Sequence, residues 1–462
     1  MLRREPIVVV CTLCLLNVFV VSAGAAVVNL TPEHDLAPRP PTVAGRAIVA
    51  PGDAMPAAAN TTAPLPRPGT LAARLARPTG LAGAPINAVV IDPDTREVLY
   101  DQRSQVPLVP ASTTKIVTAT AALAALGPDH RLTTKVVRSA GRIVLVGGGD
   151  PTLAGERTNG FLQPAALSDL AKRTAAALRA AGLTRVRLDY DTSMYGESRP
   201  APGWKSNYLP EGSVAPVTAL AVNEGRARPV ACDDDATVPR AADPPQAAAQ
   251  AFAQQLRRRG IQARVGAEVV AAESPRQLAA VQSPPIPALV EHMLECSDND
   301  LAEALVRHVA IARNRPADFA GARQAVRAVL AELGVAQGVD VYDGSGLSIR
   351  NRITPAALAR IIALAASSRH PTLRPVITGM PIAGFSGTLE DRFAGAADQA
   401  GVGTVRAKTG SLSDVSTLAG LAYDADGRVL AFAFMVNDVR STEAARLALD
   451  RLASVLAACG CR

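Results

Sequence analysis

Ser112 and Lys115, three residues apart, have the types and spacing that suit nucleophilic catalysis. A serine hydroxyl attacks a carbonyl group only when a base takes its proton. Residues three apart on a helix share one face, so the Lys115 amine can reach the Ser112 hydroxyl. A lysine becomes a base when burial and a neighbouring cation lower its pKa. The pair therefore predicts acyl transfer through an acyl-serine intermediate.

A second segment, Ser297-Asp298-Asn299, supplies polar partners for this pair. Ser297 is predicted to relay a proton between Lys115 or Lys408 and the leaving amine of the substrate. Asn299 is predicted to hold Lys115 and to hydrogen-bond the substrate peptide. We assign Asp298 no chemical step and expect it to stabilise the loop.

A third segment, Lys408-Thr409-Gly410, is followed directly by Ser411. Lys408 is the candidate second cation near the base, and Lys408 and Thr409 are predicted to bind a terminal carboxylate. Gly410 is expected to leave a strand bare enough for a substrate backbone to lie against it. The backbone N–H groups of Ser112 and Ser411 are the predicted oxyanion donors.

Other catalytic chemistries have weaker support in the sequence. The five histidines lie in no recognisable nucleophile context, and Gly344-Ser345-Gly346 only looks like part of a G-x-S-x-G elbow. The triplet Gly147–Gly149 lacks the residues of a phosphate-binding loop, so a turn that needs positive φ explains it better. The cysteine spacing matches no zinc pattern. We therefore predict neither a cofactor nor a metal.

The elements that must position the candidate residues predict an α+β fold. Residues 87–91 and 98–101 form a hairpin around turn-forming residues, and a helix over 115–126 begins just after Ser112. Near the end of the chain, three strands precede a terminal helix, at 405–409, 417–422, 429–436 and 442–458. Helices on an antiparallel sheet of this kind form an α+β sandwich.

The chain between the first two segments has a separate α/β pattern. Helices are predicted at 164–181 and 245–259, and strands at 144–146, 185–190 and 262–271. Three further predicted helices follow it, at 284–294, 301–312 and 319–333.

The N-terminal residues predict export from the cytoplasm. Arg3 and Arg4 precede an apolar stretch at 7–28, and Ala23-Gly24-Ala25 is a plausible cleavage site. The same stretch is long enough to span a bilayer, so residues 1–28 are either a signal peptide or a membrane anchor. Residues 29–80, rich in Pro, Ala and Thr, predict an extended tether. Membrane contact is expected only through the N-terminal segment.

Four cysteines fall in the exported part, namely Cys232, Cys296, Cys459 and Cys461. An oxidising compartment permits disulfides, and four cysteines allow three pairings. Cys459 and Cys461 are expected to be too close for easy pairing. Cys296, next to Ser297, is expected to be a small buried residue rather than half of a disulfide.

Length and charge set broad limits on function. With 462 residues, 48% of them hydrophobic, the chain can form two or three domains. The net charge of +7 comes from scattered Lys and Arg, so we predict no nucleic-acid partner.

The full set of segments resembles the D-alanyl-D-alanine carboxypeptidase/endopeptidase family, the class C low-molecular-mass penicillin-binding proteins. The order S-x-x-K, S-D-N, K-T-G is shared widely among penicillin-recognising serine enzymes. The narrower likeness extends over roughly 80–462 and lies in five segments, which are Gly147–Leu153, Asp343–Ser348, Pro381–Gly384, Gly387–Leu389 and Lys408–Leu412.

The resemblance implies a penicillin-binding/β-lactamase-like domain, an antiparallel sheet flanked by helices plus a helical subdomain, with an inserted α/β part. It makes Ser112 the acylated serine, Lys115 the base, Ser297 and Asn299 the second motif and Lys408 the third. Ser297 follows Ser112 by only 185 residues, too few for two inserted domains. We therefore expect one inserted domain at 141–282 within a catalytic domain made of 81–140 and 283–462.

The function implied is a serine DD-peptidase of peptidoglycan. It would remove the terminal D-Ala of a stem peptide, or cut a D-Ala–diaminopimelate crosslink, through an acyl-Ser112 intermediate, and β-lactams would inhibit it. A β-lactamase on the same scaffold would need a dedicated deacylating water and base. The other alternative is a non-catalytic wall-binding protein, which the complete motif set disfavours.

Overall fold

A computed structural model describes residues 62–461, apart from 79–82, 140, 159–161, 197–199, 230–231, 233–237 and 273–274. Within these residues no helix is both long and apolar enough to cross a membrane. The expected leader at 1–28 and most of the expected tether lie outside the described residues.

The last part of the expected tether is helical instead of extended. Helix α1 (Pro68–Leu75) forms there, and its Leu71 and Leu75 side chains are fully buried. The two leucines are four residues apart, so they share one helix face, and that face packs into a hydrophobic core. Proline-rich composition hid this short apolar stripe.

One antiparallel sheet combines strands from both ends of the described chain. Strand β1 (Asn87–Ile91) lies between β2 (Val98–Gln102) and β12 (Val429–Asn437), and β11 (Val415–Tyr423) and β10 (Val405–Leu412) complete the sheet. The register places Val89 opposite Ala433. The predicted hairpin and the three predicted late strands are confirmed.

Helices cover both faces of this sheet. Successive side chains of a strand point to opposite faces, and in β12 Phe432 and Phe434 enter one core while Ala433 and Met435 enter the other. The first core also holds α1 and α10 (Thr442–Ala457). Burial on both sides explains why β12 is apolar without interruption.

Helix α2 (Thr114–Leu126) lies at the centre of the helical region. All ten residues from Thr114 to Leu123 are buried, as expected for a helix that is apolar on every side. The surrounding helices are α5 (Ile286–Glu295), α6 (Asn299–Ala312), α7 (Phe319–Glu332), α8 (Pro355–Ala366) and α9 (Pro375–Thr378). A two-stranded ladder, β8 (Val339–Asp340) with β9 (Arg352–Ile353), lies in the same region of the sequence.

A second five-stranded sheet has its own hydrophobic core. Its strands are β3 (Thr133–Ser139), β4 (Arg142–Val146), β5 (Arg185–Asp191), β6 (Gln262–Glu268) and β7 (Arg276–Gln282), and helices α3 (Leu167–Ala180) and α4 (Pro244–Arg257) pack against it. The strand order is β6-β5-β4-β3-β7, in which the β4–β5 and β5–β6 pairs are parallel and both pairs of β3 are antiparallel. The sheet therefore begins at Thr133, before the expected boundary at 141.

The glycine triplet after β4 is a packing feature as much as a turn. Gly149 has a φ of 69°, as predicted for a tight turn. A side chain on Gly147 or Gly148 would instead overlap the backbone carbonyls of Ala219 and Thr133. Two of the three glycines thus permit close approach of neighbouring backbone.

The four described cysteines form two disulfides, Cys232–Cys296 and Cys459–Cys461. Both expectations about pairing are wrong. The chain turns after α10, so the Cα atoms of Cys459 and Cys461 lie 4.9 Å apart, within the range that a disulfide bridges. Cys296 directly follows α5 and meets a loop from 64 residues earlier, a contact that local sequence cannot show.

Candidate active site

Ser112 lies in a single 3-10 turn, Ala111–Thr113, that leads directly into α2. The Thr113 and Thr417 hydroxyls donate to the Pro110 carbonyl at 2.7 and 2.9 Å and fix this turn. Ala111 has a φ of 48°, a left-handed conformation that a non-glycine residue adopts only when its surroundings enforce it. The Ser112 side chain is only partly buried, so the hydroxyl can meet a substrate.

The fully buried side chain of Lys115 reaches three oxygen atoms. Its Nζ lies 3.0 Å from Ser112 Oγ, 2.7 Å from Asn299 Oδ1 and 2.8 Å from the Ser345 carbonyl oxygen. Burial lowers the pKa of Lys115 to about 8, although neighbouring carboxylates partly oppose that shift. A neutral lysine beside the candidate nucleophile is thus accessible near neutral pH.

The second segment occupies the turn from α5 into α6. Ser297 has a φ of 56°, and the Asp298 carboxylate accepts the Leu301 N–H at 2.9 Å as the N-cap of α6. Asp298 therefore stabilises the loop, as predicted. Asn299 follows as the first residue of α6, where its amide contacts Lys115 and donates to the Ser213 carbonyl at 2.8 Å.

The third segment lies on β10, with Lys408 fully buried. Burial lowers the pKa of Lys408 well below its usual range, and the charges of Lys115 and Arg392 lower it further. The pKa of Lys115 itself is lowered by burial, so the role of Lys408 as a second cation that activates Lys115 stays a prediction. Thr409 is partly exposed and Ser411 is exposed, so these two residues, rather than Lys408, offer solvent-facing donors.

Gly410 faces the nucleophile turn rather than open space. A Cβ atom there would lie 2.8 Å from the Pro110 carbonyl oxygen and 3.0 Å from the Ser112 backbone nitrogen. Glycine at this position lets the turn that carries Ser112 pack directly against β10. The expected reason for Gly410, room for a substrate backbone, is not the one that these contacts show.

A loop that the sequence analysis gave no role, Asp343-Gly344-Ser345-Gly346, wedges between α2 and α6. Its Ser345 carbonyl binds Lys115, and its Gly344 carbonyl accepts the Thr118 hydroxyl at 2.7 Å. The Asp343 carboxylate accepts the backbone N–H groups of residues 346 and 348. Apart from the family resemblance, no residue type marks this loop, because the functional atom is a backbone carbonyl.

A second group that the sequence analysis missed is the segment 202–215, between β5 and α4. Trp204 Nε1 donates to Asp343 at 2.8 Å, and Lys205 Nζ donates to Ser413 Oγ at 3.1 Å. The same segment supplies the Ser213 carbonyl that fixes Asn299. Chain from outside the three motifs thus forms part of the site.

The described residues contain a cluster of metal-type ligands beside the second segment. Atoms of Cys232, His292 and Cys296 lie within 4.8 Å of one another. The two sulfurs are joined in a disulfide, so the thiolates that zinc would need are not formed in this state. The arrangement does not fit a metal centre.

The fold and the geometry of the site define a penicillin-recognising serine peptidase. A crystal structure of penicillin-binding protein 4 (DacB) from Haemophilus influenzae matches 82% of this chain and 97% of its own, with a TM-score of 0.67 at 23% identity. That likeness shows the α+β fold.

Sequence comparison then identifies the family. The pattern of the D-Ala-D-Ala carboxypeptidase 3 (S13) family matches residues 68–237 and 227–458, and the chain belongs to this family. A carboxypeptidase of Mycobacterium tuberculosis is 38% identical over 92% of this chain and 89% of its own length. The carboxypeptidase DacB of Mycolicibacterium smegmatis is 38% identical over 85% and 84%. The chain is a serine-type D-Ala-D-Ala carboxypeptidase, a hydrolase that acts outside the cytoplasm.

Proposed function

We propose that Ser112 is the acylated nucleophile of this carboxypeptidase and that neutral Lys115 is its base. The observation that carries the proposal is the fully buried Lys115 amine 3.0 Å from Ser112 Oγ, with its pKa lowered to about 8. A hydroxyl with a base at hydrogen-bond distance is the arrangement that nucleophilic catalysis requires.

The reaction has two stages. Lys115 takes the Ser112 proton while Ser112 Oγ bonds to the penultimate D-Ala carbonyl carbon, and the N–H groups of Ser112 and Ser411 receive the oxyanion. The C–N bond then breaks, and Ser297 passes the proton from lysine to the leaving D-Ala amine. Water hydrolyses the acyl ester with Lys115 again as base, and the proton returns to Ser112 Oγ.

Recognition of the terminal carboxylate falls to the outward face of β10. Thr409 and Ser411 are exposed enough to donate hydrogen bonds to it, whereas Lys408 is fully buried in the same strand and its pKa is lowered well below the usual range. Because a β-lactam carries both a carboxylate and a reactive carbonyl, the same groups would hold it, and Ser112 would be acylated.

We infer the domain arrangement from the two sheets. The sheet of β3 to β7 is an inserted domain at about 133–282, since it has its own core and separates the first and second motifs. The residues on either side form the catalytic domain. Residues 1–28 would direct export, either as a cleaved signal or as an anchor.

The test is labelling by a fluorescent penicillin together with mass analysis of digested muropeptides. The wild-type protein should be labelled and should release D-Ala, whereas Ser112→Ala should do neither and should stay folded. Ser368→Ala, which removes an exposed serine after α8, is the matched control and should behave as wild type. Labelling of Ser112→Ala would place the nucleophile elsewhere, and rapid release of the bound penicillin would indicate a β-lactamase. Products cut at crosslinks would add endopeptidase activity.

A further inference from the structure

Glu303 is a fully buried carboxylate that the reaction described above does not use. It lies on α6 four residues after Asn299, and positions four apart share one helix face. Glu303 Oε1 accepts the backbone N–H of Gly344 at 3.0 Å and that of Ser345 at 2.8 Å. One carboxylate oxygen therefore holds two consecutive amides of the loop at 343–346.

That loop contacts the base through the carbonyl of Ser345. A neutral lysine amine has two hydrogens and one lone pair. The Asn299 side-chain oxygen, at 2.7 Å, and the Ser345 carbonyl, at 2.8 Å, can accept both hydrogens. The lone pair is then left to point at the Ser112 hydroxyl, 3.0 Å away. The Ser345 carbonyl is thus one of the two acceptors that orient the Lys115 amine toward Ser112.

We propose that Glu303 is the positioning residue for the base: it clamps the Ser345 peptide that orients Lys115, and its negative charge favours the protonated form of Lys115. The inference deepens the proposed function and depends on Lys115 acting as the base. Asn299 and Glu303, one helical turn apart, would then fix the two acceptors of the same amine.

The electrostatic surroundings of Glu303 come from its own helix and from the clamped loop. Arg307, on the next turn of α6, lies 3.4 Å from Glu303 Oε2, and its guanidinium stacks on Phe319 of α7 at 4.2 Å. Burial and the charge of Asp343 together raise the pKa of Glu303 to about 7, and Arg307 opposes the shift. The Glu303 carboxylate is therefore mostly ionised only above that pH, a range that includes the Lys115 pKa of about 8.

Lys115 is acted on by charges from several elements. The carboxylates of Asp298, Asp343, Glu303 and Asp300 oppose the lowering of its pKa by burial. The charge of Lys115 in turn lowers the pKa of Lys408 on β10. Acylation needs neutral Lys115, so its rate rises as pH increases through that pKa. Removal of the Glu303 charge favours the neutral amine and should move this rise to lower pH.

Two substitutions of Glu303 separate its hydrogen bonds to the loop amides from the effect of its charge on Lys115. Glu303→Gln keeps an oxygen for the two loop amides but removes the charge, so the rise in acylation rate should move down by about one pH unit. Glu303→Ala removes both, and the maximal rate should also fall about 100-fold, since misplacing a catalytic group by about 1 Å has that cost. The measurement is the rate of Ser112 labelling by a fluorescent penicillin between about pH 6 and about pH 10, which brackets the shifted and ordinary lysine values.

Because Glu303→Gln leaves the buried Arg307 without its partner, the double variant Glu303→Gln/Arg307→Met keeps the test usable if the single one does not fold. The matched control is Asp92→Asn, which breaks another buried carboxylate–arginine pair, with Arg428, beyond β1. It should lower stability and leave the pH profile unchanged. The proposal is overturned if folded Glu303→Gln keeps the wild-type profile, or if folded Glu303→Ala keeps the wild-type maximum. Absence of wild-type labelling would instead contradict the proposed function.

Discussion

The active site has two walls that differ in the kind of atom they present. The motif wall consists of four side chains, and two of them, Lys115 and Lys408, are fully buried. They come from the turn before α2 (Ser112), from α2 (Lys115), from α6 (Asn299) and from β10 (Lys408). The segment wall, residues 202–215, contacts the site largely through its backbone, as with the carbonyls of Pro202 and Ser213 and the N–H of Ala215.

This difference explains which wall a sequence reveals. A catalytic side chain must be one residue type, so its letter and spacing persist as a motif. A backbone carbonyl is supplied by any residue, so its position leaves no letter to find. We therefore expect substitutions in the motif wall to change the rate of acylation strongly and substitutions in the segment wall to change it only slightly.

The largest effect is expected from Lys115→Met, which removes the base but fills a similar volume. Acylation of Ser112 by a fluorescent penicillin should slow about 1,000-fold, within the range measured for loss of a general base. The wild-type rate should rise with pH around the lowered lysine pKa of about 8, and the variant should lack that rise.

Lys172→Met, at an exposed position of α3, is the control for this experiment and should retain the wild-type rate. Thermal unfolding would check that the Lys115 variant is folded. If folded Lys115→Met is acylated at the wild-type rate, Lys115 is not the base and the chemistry does not depend on the motif wall as proposed.

The second effect is expected from Gly410→Ala. The added Cβ would press on the Pro110 carbonyl and the Ser112 backbone nitrogen, and overpacking of this kind costs about 1–3 kcal/mol of folding free energy. A displaced Ser112 should also be acylated about 100-fold more slowly. Denaturant unfolding and penicillin labelling measure the two consequences.

Gly69→Ala is the matched substitution, since no atom lies within 4 Å of the position that its Cβ would take in α1. It should leave the stability and the labelling rate near the wild-type values. If Gly410→Ala also changes neither, β10 does not pack against the turn that carries Ser112 as closely as the structure indicates.

The predictable part of the fold follows from local pattern. The buried strand β12 and helix α2 were predicted because each is a long apolar run with clear ends. The position of Ser112 just before α2 was predicted for the same reason, whereas the pairing of β1 with β12 was not predicted. The three-residue spacing alone then predicted that Lys115 lies on the same helix face as Ser112.

The unpredicted features depend on contacts between distant residues. The Ser345 carbonyl lies 230 residues from Lys115 in sequence, and the Cys232–Cys296 disulfide joins residues 64 apart. Gly410 was identified, but its close packing against a turn 300 residues away was not predicted. Such contacts are set by the tertiary packing of α2, α6 and β10, which no local window contains.

On the segment wall, Trp204→Phe should have a smaller effect on acylation than Lys115→Met or Gly410→Ala. It deletes the indole N–H that donates to Asp343, a hydrogen bond to a charged group, and should cost about 1.5–2 kcal/mol of stability. Asp343 keeps the backbone donors of its own loop, so acylation by a small penicillin should change by no more than about threefold, well below one kcal/mol in the barrier. A double-mutant cycle with Asp343→Asn measures the interaction energy of the Trp204–Asp343 pair. If Trp204→Phe slows acylation 100-fold, the two walls do not differ in their effect on the chemistry.

The smallest effect is expected from Lys205→Ala, at the partly exposed end of the segment wall. The bond from Lys205 to Ser413 lies at the surface, where a substitution shifts stability by no more than about 0.5 kcal/mol. The cation stands close to the end of β10 and should speed the arrival of an anionic stem peptide, so its removal should lower kcat/KM about twofold at low salt. The loss should vanish at high salt, where the field is screened, and Lys172→Ala on α3 should show no loss at either salt concentration. A loss that persists at high salt would mean that Lys205 touches the bound substrate, and the segment wall would then share in recognition.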